Sequence, residues 1–355
     1  MMASLSNIRS HVTPIGVDIG QRGIRMAQLT RARGVYTVTA IARTDYRAPA
    51  TDLQDQQQRL RDCWEQGDFR GRNAIFALSA PDIGYYALEL PPVAAAEQAS
   101  IAHYEVERLV AERAQGVEIR HWPLPAGRPN APSALGLAVP RASVERMVNM
   151  IQRCPLECQR LDTAETALCR LAGTLIPERG GGVWGALDYS QKHVRLILCV
   201  DDVPVLIRVV GPGGGALTSR LAESLHITEA TAEVHKIDHG IAETAKSGAE
   251  ETGAEIGAMH FSILRTELQS IAAEIKRSYE YVLSCYPGRK ALDLVLTGGG
   301  ARLRNFDAFL GGALGITVRC ASSYLRDTEC RLRFASGKNI PLETMAQAIG
   351  LAIGD

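Results

Sequence analysis

The N-terminal part of the chain alternates apolar runs with short polar turns, a pattern typical of β-strands joined as hairpins. Three runs predict three consecutive strands, at residues 15–20, 24–29 and 35–41. An acidic residue, Asp18, lies near the end of the first strand and is followed by Gly20 and Gly23. We therefore predict a three-stranded meander whose first turn combines a carboxylate with two glycines.

The same arrangement returns in the middle of the chain. Its three strands are predicted at residues 183–189, 193–200 and 203–210. The first of them again ends near an aspartate, Asp188, and Asp201-Asp202 supplies a two-residue hairpin turn between the second and third. Two meanders with an acidic residue at the same place form a weak internal repeat of one supersecondary unit.

A later strand stops at three glycines. The aliphatic run at residues 294–297 leads into Gly298, Gly299 and Gly300, and a helical pattern with an apolar face follows from Leu303. Glycines at a strand-to-helix junction let a ligand lie against the backbone, and the first amides of a helix can donate to it. By itself a glycine triplet also fits a tight turn, so its meaning depends on the rest of the chain.

Several longer segments show helical periodicity. Helices are predicted at residues 97–113, along an apolar stripe at 144–151 and at 268–282. Residues 240–259 are rich in Ala, Gly and Glu and show no apolar period, so we predict a loop there.

Composition narrows the class of protein. The 355 residues are 46% hydrophobic and 22% charged with a formal net charge of zero, which indicates a globular chain of two or more domains and gives no electrostatic reason to expect nucleic acid. Eight cysteines without a Cys-x-x-Cys pair fit free thiols in a reducing cytosol. His235 and His239 are four apart, but no third ligand is evident in the sequence, so no metal site is expected there.

The order of these parts resembles the actin-like ATPase superfamily and, within it, the PilM family of type IV pilus assembly proteins. Proteins of MSHA pilus biogenesis, the cytoplasmic part of GspL and FtsA are related. The resemblance covers residues 14–354 and implies an α/β, actin-like (ribonuclease H-like) two-lobed fold with an inserted small α+β subdomain. Lobe 1 is expected at residues 13–80, completed by 159–182 and 339–355, with the inserted subdomain at 81–158 and lobe 2 at 183–338.

The resemblance also implies that ATP and Mg²⁺ bind between the lobes. Asp18 corresponds to a carboxylate that holds Mg²⁺ through water, which suits an ion that keeps most of its hydration. The positions that the resemblance assigns to the nucleotide are Asp18, Gly20, Gly23, Asp188, Gly213, Gly214, Glu274, Arg277, Gly298, Gly299 and Gly300. The alternative for Asp18 is a residue that ends a strand in a hairpin. For Gly213 and Gly214 it is a flexible strand-to-helix turn, and for Glu274 and Arg277 it is a solvated helix face.

Three positions depart from the family pattern. Ser190 stands where relatives carry a glycine, Gly215 where they carry a glutamate, and Asn305 where they carry a glycine or a Pro-Gly turn. These departures favour nucleotide binding with little or no turnover. An active actin-like ATPase or phosphotransferase remains the alternative, as does an FtsA-like filament-forming protein. For an active ATPase or phosphotransferase, Glu165 and Asp162 are the candidate catalytic acids, although both also fit a helix cap.

A partner protein is implied in the same way. The resemblance suggests a cytoplasmic protein that is peripheral to the inner membrane, where it binds the N-terminal cytoplasmic tail of a PilN-like membrane protein in a groove between the subdomain and lobe 1. Candidate contacts are Tyr85, Tyr86, Leu88, Leu90, Tyr104 and Leu109, and the competing interpretation is that these residues form the subdomain's own core. The sequence has no secretory signal and no run near the roughly 20 apolar residues of a membrane helix, so direct insertion is not expected. Self-association is left open.

Overall fold

The computed structural model describes residues 11–20, 22–46, 50–78, 83–110, 116–177, 179–242, 251–335 and 341–354. The elements of the N-terminal half are β1 His11–Val12, β2 Ile15–Gly20, β3 Gly23–Ala32, β4 Val35–Asp45, α1 Leu53–Glu65, β5 Asn73–Leu78, β6 Gly84–Leu88, α2 Ala95–Val110, β7 Val117–Pro123, β8 Ala134–Pro140, α3 Arg141–Ile151, β9 Glu157–Thr163 and α4 Ala164–Leu175. The C-terminal half continues with β10 Gly182–Tyr189, β11 His193–Val200, β12 Val203–Pro212, α5 Gly214–Leu225, α6 Glu229–His239, α7 Glu251–Cys285, β13 Lys290–Thr297, α8 Phe306–Leu314, β14 Val318–Cys320, β15 Leu332–Phe334 and α9 Leu342–Ile353. Short 3₁₀ helices lie at Gly299–Arg302 and Ala321–Arg326.

Each lobe is built on a mixed sheet that contains one of the predicted meanders. In lobe 1 the strand order is β15-β4-β3-β2-β5-β9, and β1 pairs with β3. In lobe 2 the order is β12-β11-β10-β13-β14. The β11–β12 turn has Asp201 and Asp202 at φ of 49° and 63°, the left-handed conformation that a two-residue hairpin turn requires. The fold class predicted from the sequence is confirmed.

Two helices, α4 and α9, lie between the sheets and form a core with both lobes. Close approach of α9 depends on glycines. A Cβ on Gly16 of β2 would lie 2.0 Å from the carbonyl oxygen of Ala348, and one on Gly350 would lie 2.1 Å from that of Ala167 in α4. The closing helix therefore packs directly on the backbone of β2 and α4. On its other face, the lobe 2 sheet is covered by α5, α7 and α8.

The inserted subdomain is an antiparallel sheet in the order β6-β8-β7, with α2 on one face. Its other helix, α3, contributes Met147, Met150 and Ile151 to the core of lobe 1. The subdomain is therefore packed into lobe 1. Against lobe 2, the indole of Trp122 donates to the carbonyl oxygen of Pro204 at 2.9 Å.

Two features differ from the expectations. Residues 251–259, which we predicted as loop, begin α7; residues 243–250 of the same prediction lie outside the described residues. Alanine and glutamate favour helix even without an apolar period, and the helix is continuous with the buried stripe that starts at Phe261. In addition, β15 lies in the range expected for lobe 2 but pairs in parallel with β4 of lobe 1.

None of the helices in the described part of the chain combines the length and the apolar character needed to cross a lipid bilayer.

Candidate functional site

Two buried carboxylates lie near each other where the meanders of the two lobes meet. Asp18 is near the end of β2 and 8% exposed, and Asp188 is near the end of β10 and 5% exposed. Burial raises the pKa of Asp18 to about 6, against an opposing effect of Arg25. Burial also raises the pKa of Asp188 to about 6; Arg195 opposes this shift and the charge of Asp18 adds to it. Both carboxylates are therefore poorly compensated, an arrangement that suits a divalent cation.

The three glycines after β13 have different surroundings. A Cβ on Gly298, whose φ is 83°, would lie 2.7 Å from Oδ1 of Asp188, and one on Gly300 would lie 2.5 Å from the ring of Tyr189. A Cβ on Gly299 would meet nothing within 4 Å. Gly299 thus presents bare backbone to open space beside Asp188. The triplet leads into the 3₁₀ turn at Gly299–Arg302, and the helix predicted from Leu303 begins as α8 at Phe306.

The two glycines of the first meander also differ in their surroundings. A Cβ on Gly20 would have its nearest neighbour at 3.5 Å, whereas one on Gly23 would lie 2.1 Å from the carbonyl oxygen of Thr44. Gly23 is therefore required by the close pairing of β3 with β4. Gly20 leaves room above the turn beside Asp18.

The turn before α5 is closed by the β10–β11 hairpin. The amides of Gly213, Gly214 and Gly215 donate to the carbonyl oxygens of Lys192, Ser190 and Gln191 at 3.0, 2.9 and 2.9 Å. A Cβ on Gly213 would lie 2.5 Å from the amide nitrogen of His193, and one on Gly215 would lie 2.6 Å from Nε2 of Gln191. The glycines thus allow two backbone segments to touch, and the amides at this end of α5 already have acceptors.

A buried lysine supports this turn from α6. Lys236 is 7% exposed and its ammonium donates to the carbonyl oxygen of Gly214 at 3.0 Å, to Oγ1 of Thr218 at 2.6 Å and to Oε2 of Glu233 at 2.6 Å. Partial burial acts to raise the pKa of Glu233, but hydrogen bonds from Lys236 and Thr218 hold it below its ordinary value, and the charge of Arg22 in lobe 1 adds to this effect. Sequence reasoning missed this network, because a Glu-x-x-Lys pair on a helix is usually a surface feature.

The two acids at the start of α4, Asp162 and Glu165, are fully engaged. Glu165 is 1% exposed and accepts hydrogen bonds from the hydroxyl of Tyr85 at 2.7 Å and from Arg195. Asp162 accepts from Thr166 and Arg170, next to the N-cap of α4. Both acids hold structure together here, and the N-cap of α4 is Thr163, whose side chain accepts from the amide of Thr166.

Glu274 and Arg277 lie on an exposed face of α7. They form an ion pair with each other, and Glu274 also pairs with Arg208 of β12 at 3.1 Å. These ion pairs join α7 to β12.

The six candidate partner contacts occupy three environments. Leu88 is 4% exposed in the subdomain core, and Tyr86 and Leu90 pack partly buried against the same core. Tyr85 packs edge-on against Trp122, with ring centroids 6.4 Å apart. Tyr104 and Leu109 are 63% and 50% exposed on α2. The structure does not gather the six residues into one groove.

A cleft does exist where lobe 1 meets the subdomain. It has a volume of about 380 Å³ and lies between α1 and the turn that follows α3. Its lining residues are Arg61, Trp64, Glu65, Gln152, Arg153, Cys154 and Pro155. No sequence pattern pointed to it, because its two walls are far apart along the chain.

Comparison with known proteins supports the fold. No protein-family model matches the chain, and no curated protein matches it in sequence. Among solved structures, a chain of the "PilM-PilN type IV pilus biogenesis complex" is similar with a TM-score of 0.72 and 17% identity, over 96% of this chain and 98% of that one. The ethanolamine utilization protein EutJ from Carboxydothermus hydrogenoformans is similar with a TM-score of 0.54 and 16% identity, over 97% of this chain and 89% of that one. The chain therefore has the actin-like two-lobed fold over nearly its whole length, in the form found in the PilM–PilN complex.

Proposed function

We propose that this protein is a cytoplasmic, nucleotide-binding scaffold of type IV pilus assembly or of a related pilus or secretion system. The observation that carries the proposal is the structural likeness to a chain of the PilM–PilN complex. Because 96% of this chain is covered, the likeness extends to the inserted subdomain as well as to the two lobes.

The proposed ligand of the inter-lobe site is ATP with Mg²⁺. Asp18 and Asp188 are buried with raised pKa values, so a bound cation would supply the positive charge that each carboxylate lacks. Gly20 and Gly299 leave space for phosphate and nucleoside against the backbone. Arg22 acts on Glu233 across the cleft and is placed to add charge near the phosphates.

Little or no turnover is proposed for this site. The backbone amides at the start of α5 donate to the β10–β11 hairpin and are not free to bind a developing charge. Glu165, one of the two candidate catalytic acids, is held by hydrogen bonds from Tyr85 and Arg195. A general base must reach the proton that it removes, and a carboxylate with both oxygens engaged is poorly placed to do so.

The proposed partner is the N-terminal cytoplasmic tail of a PilN-like inner-membrane protein, which would hold this chain at the membrane. We propose that the tail docks on the inserted subdomain or where that subdomain meets lobe 1. The cleft beside Trp64 is one candidate surface, since it combines an aromatic wall with the cations Arg61 and Arg153. The exposed face of α2, with Tyr104 and Leu109, is the other.

A calorimetric titration tests the proposal. A synthetic peptide of the tail, taken from the PilN-like protein encoded beside this chain, is expected to bind with 1:1 stoichiometry. Trp64→Ala is expected to weaken binding at least about tenfold if the cleft is the site, and the double change at Tyr104 and Leu109 to alanine if α2 is the site. Val234→Ala, which changes an exposed side chain of α6, is the matched control. Absence of binding by the unaltered protein would refute the scaffold proposal.

A further inference from the structure

Three histidines meet where α6 ends and α7 begins. His235 and His239 lie one turn apart on α6, and His260 lies on α7. Their ring centroids are 5.6, 6.2 and 6.3 Å apart, and the ring planes are inclined to each other by 57° to 64°. The three imidazoles thus form a nearly equilateral triangle, although one of them comes from a different helix.

The most buried ring, that of His260, is held in a defined tautomer. Its Nδ1 lies 3.1 Å from the carbonyl oxygen of Gly240. Because a carbonyl oxygen only accepts hydrogen bonds, Nδ1 carries the hydrogen and Nε2 carries a lone pair. His260 is 0% exposed, and its Nε2 has no hydrogen-bond partner within the described residues. A backbone carbonyl that fixes one ring nitrogen while the other is left available is the usual support of a metal-binding histidine.

A second ring nitrogen of the cluster is also buried without a partner. Nδ1 of His235 is covered and makes no hydrogen bond within the part of the chain that the structure describes. Leaving a buried polar atom unpaired lowers the stability of the folded protein. Two such atoms lie within one cluster of rings, and an ion or a water bound between the rings would satisfy them.

The dimensions of the triangle are close to those of a metal site. With Zn–N bonds of about 2.0–2.1 Å and tetrahedral angles, the ring centroids of three bound histidines lie about 5.3 Å apart. As the rings stand they are too far apart, and in the observed arrangement no group of three or more His, Cys, Asp or Glu side chains among the described residues could hold a metal ion. A movement of each ring by less than about 1 Å, with one nitrogen of each ring turned towards the ion, would be needed to bring all three to bonding distance. His235 and His239 are only half-buried and can make it.

We propose that His235, His239 and His260 form a binding site for a transition-metal ion of the Zn²⁺ type, with water as the fourth ligand. Imidazole nitrogen suits Zn²⁺, Ni²⁺ and Cu²⁺ and does not suit Mg²⁺ or Ca²⁺, so this site is chemically distinct from the carboxylates of the inter-lobe cleft. The ion would tie α6 to α7. Since α6 also carries Lys236, the ion would fix the helix that supports the glycine turn before α5.

The test uses full-length protein prepared without a polyhistidine tag and stripped with a chelator. Titration with Co²⁺ is expected to give a visible absorption band of tetrahedral type that saturates at a single equivalent and is abolished by Zn²⁺. The dissociation constant for Zn²⁺ is expected at or below about 10 μM, and Zn²⁺ is expected to raise the melting temperature. Mg²⁺ at millimolar concentration is expected not to compete.

Variants decide whether these three side chains are the ligands. His260→Gln is expected to weaken Zn²⁺ binding at least about 100-fold. His239→Ala provides the same readout at a half-buried position that tolerates truncation, in case His260→Gln does not fold. His103→Gln on the exposed face of α2 is the control and is expected to bind as the unaltered protein does. Failure to observe a saturable Co²⁺ band, or unchanged binding in both His260→Gln and His239→Ala, would overturn the assignment.

Discussion

Replacing Asp18 with asparagine should stabilise the nucleotide-free protein, although it removes a residue of the candidate site. Burial raises the pKa of Asp18 from 3.8 to about 6. A shift of one pKa unit corresponds to about 1.36 kcal/mol, so keeping this carboxylate ionised in the folded protein costs up to about 3 kcal/mol at pH 8. Asparagine has nearly the same shape and carries no charge that must be desolvated.

The pH dependence gives the prediction its sign. A group whose pKa is raised on folding binds more protons in the folded than in the unfolded state, so the free energy of unfolding falls as pH rises from about 4 to about 6. Asp18→Asn removes this pH-dependent fall in the free energy of unfolding. The gain in the free energy of unfolding is therefore expected to be near zero at pH 4, to grow between pH 4 and 6, and to level off above pH 6 at about 1–3 kcal/mol.

Urea unfolding at a series of pH values, without nucleotide or divalent cation, measures this gain. Asp238→Asn, which removes an exposed carboxylate of α6, is the matched control and is expected to change the free energy of unfolding by less than about 0.5 kcal/mol throughout. In the presence of ATP and Mg²⁺ the order should reverse, because the variant cannot hold the cation. An Asp18→Asn variant that is less stable than the unaltered protein at pH 8, or a gain that does not vary with pH, would refute the electrostatic reasoning.

Three further predictions address the inter-lobe site. Gly299→Val is expected to abolish the rise in melting temperature that ATP and Mg²⁺ cause, measured by thermal unfolding, whereas Gly312→Val, which also fills open space but on α8, should keep it. Lys236→Met is expected to lower the free energy of unfolding in urea by about 2–4 kcal/mol, because it leaves the buried acceptors around the ammonium unpaired, and Lys290→Met at an exposed position should change it by less than about 0.5 kcal/mol. Gly215→Glu, which introduces the glutamate of the family pattern, is expected to cost about 1 kcal/mol of stability because it displaces the β10–β11 hairpin. It is expected to add no phosphate release in a coupled assay. A clear gain of turnover would contradict the interpretation that the hairpin closes this turn.

The parts of the fold that the sequence predicted are those with a local signal. Both meanders follow from alternation of apolar and polar positions, and the Asp201-Asp202 turn follows from residues that tolerate left-handed conformation. By contrast, β15 has three residues and no pattern of its own, and it pairs with β4 only because the chain returns to lobe 1. The contact of His260 with His235 and His239 likewise depends on how α7 packs on α6, which no spacing in the sequence records.

The two halves of the inter-lobe site are not equivalent, and this bears on turnover. In lobe 1, Gly20 leaves the first turn open beside Asp18. In lobe 2, phosphate could reach the amides of Gly213, Gly214 and Gly215 only after three backbone hydrogen bonds to the β10–β11 hairpin had opened.

Each of those bonds contributes about 0.5–1.5 kcal/mol, and hydrogen bonds to a charged phosphate are roughly twice as strong. Opening the three hairpin bonds therefore offsets about half of the free energy that rebinding to phosphate would supply. Any interaction gained in this way would form with the bound nucleotide already in its ground state, and only interactions that strengthen in the transition state accelerate a reaction. A site of this construction can hold a nucleotide through lobe 1, the cation and the bare backbone of Gly299. It offers few groups that could stabilise the transition state of hydrolysis. This is the physical basis for proposing ATP as a structural ligand of the scaffold.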